Sequence, residues 1–159
     1  MDLDAAQTEW TLGLLPYEQL PELAAQMMVQ GFEGPAILDL VGFHKPTRWE
    51  LPGSLVDRAF LESGRTPLPL EEAILRMAVR VCSEVVSDDL PPVEGVRKIE
   101  KLCDDHLANT YPGSLARMVA AKWEWEDWVE DPCRRRSLED EILQEAKGFL
   151  AGRSLPPSL

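Results

Sequence analysis

The chain has 159 residues, with 16 Lys plus Arg against 28 Asp plus Glu for a net charge of −12, and 45% of its residues are hydrophobic. That length suits one ordinary domain able to bury its own core without a disulfide or metal staple, and the apolar content sets it apart from a disordered acidic chain. The charge argues against nucleic acid and anionic lipid as partners, since both reward clustered cations.

Residues 1–15 contain no Lys or Arg and carry Asp2, Asp4 and Glu9, so they lack the basic start and apolar run of a signal peptide. One short helix fits there, around Ala5 to Leu12. From Tyr17 to Gln30, Leu20, Leu23, Ala24, Met27 and Met28 follow the i, i+3, i+4 rhythm, and Gly31 supplies a left-handed stop. A short helix over Pro35 to Val41 ends at Gly42, and Phe43 to Glu50 reads as a loop in which His44, Lys45 and Arg48 sit beside aromatics. Ser54 with Asp57 three residues on has the spacing of a capping box, opening a helix that runs to about Ser63. Gly64, Pro67 and Pro69 then make a connector.

Leu70 to Ser87 is the strongest helix. Ile74, Met77, Ala78, Val81 and Val85 form one apolar stripe and Leu75, Val79, Cys82 and Val86 a second, which predicts a central helix packed on two sides. Pro91 and Pro92 open the next helix, with Val96, Ile99, Leu102 and Cys103 inward. Ser114 caps a helix placing Leu115, Met118, Ala121, Trp125 and Trp128 on one side; Asp131 and Pro132 interrupt it. Ser137 with Asp140 reads as a second capping box for a last helix to about Ala151. Leu and Ala outnumber Ile, Val and Thr by 37 to 20, favouring helix over strand. The expectation is all-α: a single compact domain of about six to eight helices over residues 1–151, an irregular bundle, with 152–159 a flexible tail. No apolar run approaches the roughly 20 residues of a membrane span. Cys82, Cys103 and Cys133, odd in number and widely spaced, suit reduced thiols in a cytoplasm.

Two stretches, Pro92-Val93-Glu94-Gly95-Val96-Arg97-Lys98-Ile99 and Trp125-Glu126-Asp127 followed by Arg134, Glu141-Ile142 and Glu145-Ala146, resemble small all-helical bacterial proteins of uncharacterised function from actinobacterial and related genomes. The resemblance spans roughly Leu70 to Leu150. It implies a helical fold and a bacterial cytosol, and no activity.

Catalytic patterns are absent: no Gly-x-Ser-x-Gly, no phosphate-binding glycine loop and no His-Glu-x-x-His occurs. Cys103 and His106 could share a helix face, but a metal needs at least a third ligand and no second Cys/His pair exists. Glu124-x-x-Asp127 fits half of the carboxylate set of a magnesium-dependent nucleotide hydrolase. No Glu-x-x-Glu supplies the other half. The expectation is therefore no enzyme and no cofactor, with that hydrolase as the remote alternative.

What the sequence offers instead is a surface. In the segment Trp123 to Trp128, the helical projection puts Trp123 among Glu126, Asp127 and Glu130 on an acidic strip, where an indole could anchor a protein interface. It could equally pack beneath a neighbouring helix or on Arg134 by cation–π contact. Residues 1–44 hold Asp2, Asp4, Glu9, Glu18, Glu22, Glu33 and Asp39 and no Lys or Arg, contributing −7 of the −12. Such asymmetry would steer a basic partner, or serve only as a solvated face. Arg134, Arg135 and Arg136 follow Glu130 and Asp131 and read as local ion-pairing groups. The resulting expectation is a non-enzymatic protein-binding module, an immunity-type or antitoxin-like inhibitor of a basic partner with Trp123, Glu126, Asp127 and Glu130 as its candidate contact residues. Self-association into a homodimer is the alternative.

Overall fold

Asp2 opens the first helix, α1 (Leu3–Thr11), by accepting the backbone N–H of Asp4 at 3.1 Å, in a computed structural model that describes residues 2–43, 53–113 and 115–152. A single 3-10 turn (Tyr17–Gln19) leads into α2 (Leu20–Val29), followed by α3 (Pro35–Val41), α4 (Gly53–Glu62), α5 (Leu70–Val86), α6 (Pro92–Leu107), α7 (Leu115–Asp127) and α8 (Pro132–Ala151). Among the described residues all regular structure is helical, so the protein is all-α with eight α-helices. None of these helices is long and apolar enough to cross a membrane.

The chain divides into two compact units, residues 1–73 and 74–159. In the first, the i, i+3, i+4 rhythm of α2 does what its spacing dictates: Leu20, Leu23, Ala24 and Met27 are buried and join Leu3, Ala6, Ile37, Leu40, Val56, Ala59 and Phe60 in one apolar cluster. Gly31, at φ +88°, terminates α2 in the left-handed region where glycine is favoured. The seven-residue α3 has no side-chain cap of its own. Glu62, at the end of α4, supplies it from a distance: its two oxygens accept the N–H groups of Ala36 (3.1 Å) and Ile37 (3.0 Å). Gly34 leaves the space for that carboxylate, since a Cβ there would collide with it.

In the second unit, Ile74, Met77, Ala78, Val81 and Val85 of α5 are all buried. Of the other predicted stripe, Leu75 and Cys82 are buried, Val79 lies at the rim and Val86 is exposed, so the buried face of α5 is narrower than two full stripes. Gly95 on α6 lets that helix approach α5 closely; a Cβ at Gly95 would fall against Val85 Cγ2 and lie 3.4 Å from Val81 Cγ1. Helices α6, α7 and α8 pack on one another, burying Val96, Ile99, Leu102, Leu115, Met118, Leu138, Ile142 and Phe149.

Three local expectations are corrected. The last helix starts at Pro132, where Asp131 accepts the N–H groups of Cys133 and Arg134, both at 3.0 Å, so Asp131 is an N-cap, Pro132 fills the tolerated first helical position, and Ser137 lies inside the helix. Asp57 is not spent on a capping box, because its carboxylate accepts the Trp10 indole N–H at 2.8 Å. Trp128 is not a core residue: α7 ends at Asp127, so the helical projection does not reach it, and Trp128 is exposed. The Ser114 cap, the loop cations His44, Lys45 and Arg48, and the tail from residue 153 lie outside the described residues.

Candidate partner-binding site

Lys122 is the only Lys or Arg of the described residues to be buried, with 6% of its surface exposed. It lies on the inward side of α7 because Met118 and Val119, one turn earlier, and Ala121 hold that face against its neighbours. A buried ammonium is costly unless it is paired. Its Nζ lies 2.8 Å from Glu100 of α6 and 2.9 Å from Glu126, one turn on along α7. Burial disfavours the charge, but the hydrogen bonds Lys122 donates to Glu100 and Glu126 outweigh it and raise its pKa above the ordinary value. Glu126 is held below the carboxylate range by its hydrogen bond from Lys122, against its own desolvation, and then by Arg97. Arg97 in turn spans Glu126 at 3.2 Å and Glu94 at 2.6 Å.

Trp123 sits at the edge of this ion-pair network, 49% exposed. Its indole N–H donates to Glu100 Oε1 at 2.5 Å, so Glu100 holds Trp123 with one oxygen and Lys122 with the other. Tyr111, from the turn after α6, meets the Trp123 ring edge-on, with centroids 6.1 Å apart and planes at 81°. The Tyr111 hydroxyl donates to Asp104 Oδ1 at 2.8 Å. Desolvation, that hydrogen bond and the Asp104 and Glu100 charges push its pKa up to about 12. The outcome is a half-exposed indole whose orientation is set on two sides, by Glu100 and by Tyr111.

The next turn of α7 is built differently. Trp125 is half-buried, with the Arg135 guanidinium 3.9 Å over its ring, Arg97 at 6.0 Å, and its indole N–H on Glu139 at 3.0 Å. Glu124 pairs with Arg134, whose Nε lies 3.1 Å away. The cation–π contact expected for Trp123 on Arg134 is thus made by Trp125 on Arg135, while Arg134 does form a local ion pair.

Of the candidate contact residues, Trp123 and Glu126 belong to one network centred on Lys122. Asp127 and Glu130 are exposed at and beyond the end of α7 and form no ion pair among the described residues. Glu100, Lys122, Tyr111 and Asp104 were not anticipated. The i, i+4 spacing of Lys122 and Glu126 was the readable signal; the contribution of Glu100 depends on how α6 lies beside α7. Among the described residues no group of three or more His, Cys, Asp and Glu is placed to hold a metal ion. Cys103 is buried, and desolvation pushes its thiol up to about 11. Comparison of the chain with protein-family models, curated proteins and solved structures finds no match.

Proposed function

We propose that this chain is a non-enzymatic protein-binding module that covers a basic protein partner, in the manner of an immunity-type or antitoxin-like inhibitor. One observation carries the reading: Trp123 is half exposed yet held by Glu100 and Tyr111. An indole fixed in advance loses little conformational freedom on binding, which is what an interface anchor needs. Glu100 and Glu126 are already paired with Lys122, but Asp104, Asp127 and Glu130 are exposed without an ion pair among the described residues and favour a cationic partner through charge complementarity. In the first unit Glu18, Glu22, Glu33 and Asp39 are exposed and form no ion pair among the described residues, adding long-range steering of the same sign. The pairing of Glu124 with Arg134 weighs against the hydrolase alternative, because that carboxylate would have to give up its arginine to hold magnesium.

The test is association of the full chain with basic proteins encoded beside its gene, followed by biosensor kinetics. The expected result is an on-rate that falls steeply as salt rises, and a Trp123→Ala variant that loses about 2 kcal/mol of binding with little change in melting temperature. A chain that sediments as a salt-insensitive dimer and binds none of those proteins would overturn the reading in favour of self-association.

A further inference from the structure

A second site lies in the first unit. Between α1, α4 and residues 65–68 runs a cleft of about 410 Å³, within the size range of small-ligand pockets. Trp10 and the buried Phe60 supply aromatic walls. Each of its donor-bearing side chains already spends at least one N–H or O–H inside the protein, while Arg65 and Gln7 keep further N–H groups. The Trp10 indole N–H donates to Asp57 Oδ1 at 2.8 Å. Gln7, only 6% exposed, donates its amide nitrogen to the Thr66 carbonyl at 2.8 Å; since a carbonyl can only accept, this assigns the amide orientation and leaves the Gln7 oxygen as the group open to a ligand. Thr11 donates its hydroxyl to the Gln7 carbonyl at 2.9 Å. Arg65 is the one cation on the wall, and it is turned to Asp4 at 3.1 Å and to the Ser63 carbonyl at 3.3 Å.

Arg65 has its charge paired with Asp4, whereas Asp57 has no ion pair among the described residues, and its second oxygen, the Gln7 oxygen and the Thr11 lone pairs remain as acceptors for an occupant. Acceptors beside an indole face suit a donor-rich cation, because a guanidinium or ammonium can bond the carboxylate while its flat or apolar part lies on the ring. A carboxylate or phosphate ligand would find only the partly spent Arg65. We infer that this cleft binds a guanidinium or primary ammonium carried on an alkyl stem. Two sources share that chemistry, an Arg or Lys side chain of a protein and a free alkylamine. The inference stands apart from the Trp123 reading, since it uses other residues and a different unit.

The test is indole N–H NMR of the full chain labelled with nitrogen-15, titrated with Nα-acetyl-arginine amide, with agmatine, and with Nα-acetyl-citrulline amide as the uncharged control. The expected result is a saturable shift of the Trp10 indole resonance by at least one cationic probe, with a Kd of order 1 mM and no saturable shift with the citrulline probe. Binding of the blocked arginine identifies a protein side chain as the source; binding of agmatine alone identifies a free amine. Asp57→Asn retains an acceptor for Trp10 and should weaken the cationic probe about tenfold. Trp123→Ala should leave it unchanged, so the two sites fail or stand separately. No saturable Trp10 shift with either cation, equal binding of the citrulline probe, or an unaltered Kd in Asp57→Asn would overturn the inference.

Discussion

Residues 1–73 carry 12 acidic and 4 basic residues, and residues 74–159 carry 16 and 12. The two units use these charges in opposite ways. In the first, the core is an apolar cluster and the acidic side chains mostly face solvent. Arg65 with Asp4 joins two of its charges, and Glu62 is spent on a helix end. In the second, charges are structural: Lys122 is buried between Glu100 and Glu126, Arg97 bridges α6 to α7, Arg134 ties α8 to Glu124, and Arg135 lies on Trp125. The net charge of a segment therefore says little about its surface. Among the described residues the second unit pairs Glu84, Glu94, Glu100, Glu124, Glu126 and Glu145 with Lys or Arg, whereas in the first Glu18, Glu22, Glu33 and Asp39 are exposed without an ion pair.

That contrast gives its sharpest expectation at Lys122. Replacing it with Met leaves Glu100 without a cation and Glu126 with Arg97 alone, and breaking a buried pair from one side costs about 3 kcal/mol or more. Chemical denaturation would measure this. A loss under about 1 kcal/mol would mean that the network is decoration on an apolar core. The pH profile refines the same point. Glu126 is lowered from an ordinary value of 4.5, so its share of stability is present above that value and is lost as pH falls through the lower folded value. Lys122 is raised from 10.5, so its share is intact below that value and is lost as pH rises through the higher folded one. The stability difference between the native chain and Lys122→Met should be flat between the two and shrink outside them.

Next in size is Gly95→Ala. Alanine favours helix by about 1 kcal/mol over glycine, but its Cβ would fall against Val85, and overpacking of this kind costs about 1–3 kcal/mol. A net loss of melting temperature is expected; a gain would mean that α5 and α6 separate freely. Smaller again is Glu62→Ala, which removes the distant cap of α3 and should cost about 1 kcal/mol, with faster amide exchange at Ala36 and Ile37.

The helices themselves were largely legible from sequence, because periodicity and punctuation act over a few residues: α2 ends at Gly31 and α6 begins after Pro91 as their local chemistry dictates. The failures are of another kind. Asp57 looked like a capping residue until Trp10, 47 positions away, took its carboxylate. Glu62 caps a helix that begins 27 residues before it. Trp128 was projected along a helix that stops one residue short of it. At the candidate site, Trp123 and Glu126 are readable from the helical projection of α7. The partner that orients Trp123, Glu100, is 23 residues distant and reaches it only because α6 and α7 pack side by side. Hydrogen bonds between helices depend on where those helices lie, and no spacing rule within one helix encodes that.

The smallest expected effect is the most direct test of the account. If Trp123 is a surface anchor held ready for a partner, equilibrium unfolding of Trp123→Ala should show a loss of no more than about 1 kcal/mol, the worth of one exposed hydrogen bond and an edge-on ring contact. A loss of about 3–5 kcal/mol, the cost of emptying a core aromatic site, would contradict it and make Trp123 part of the fold.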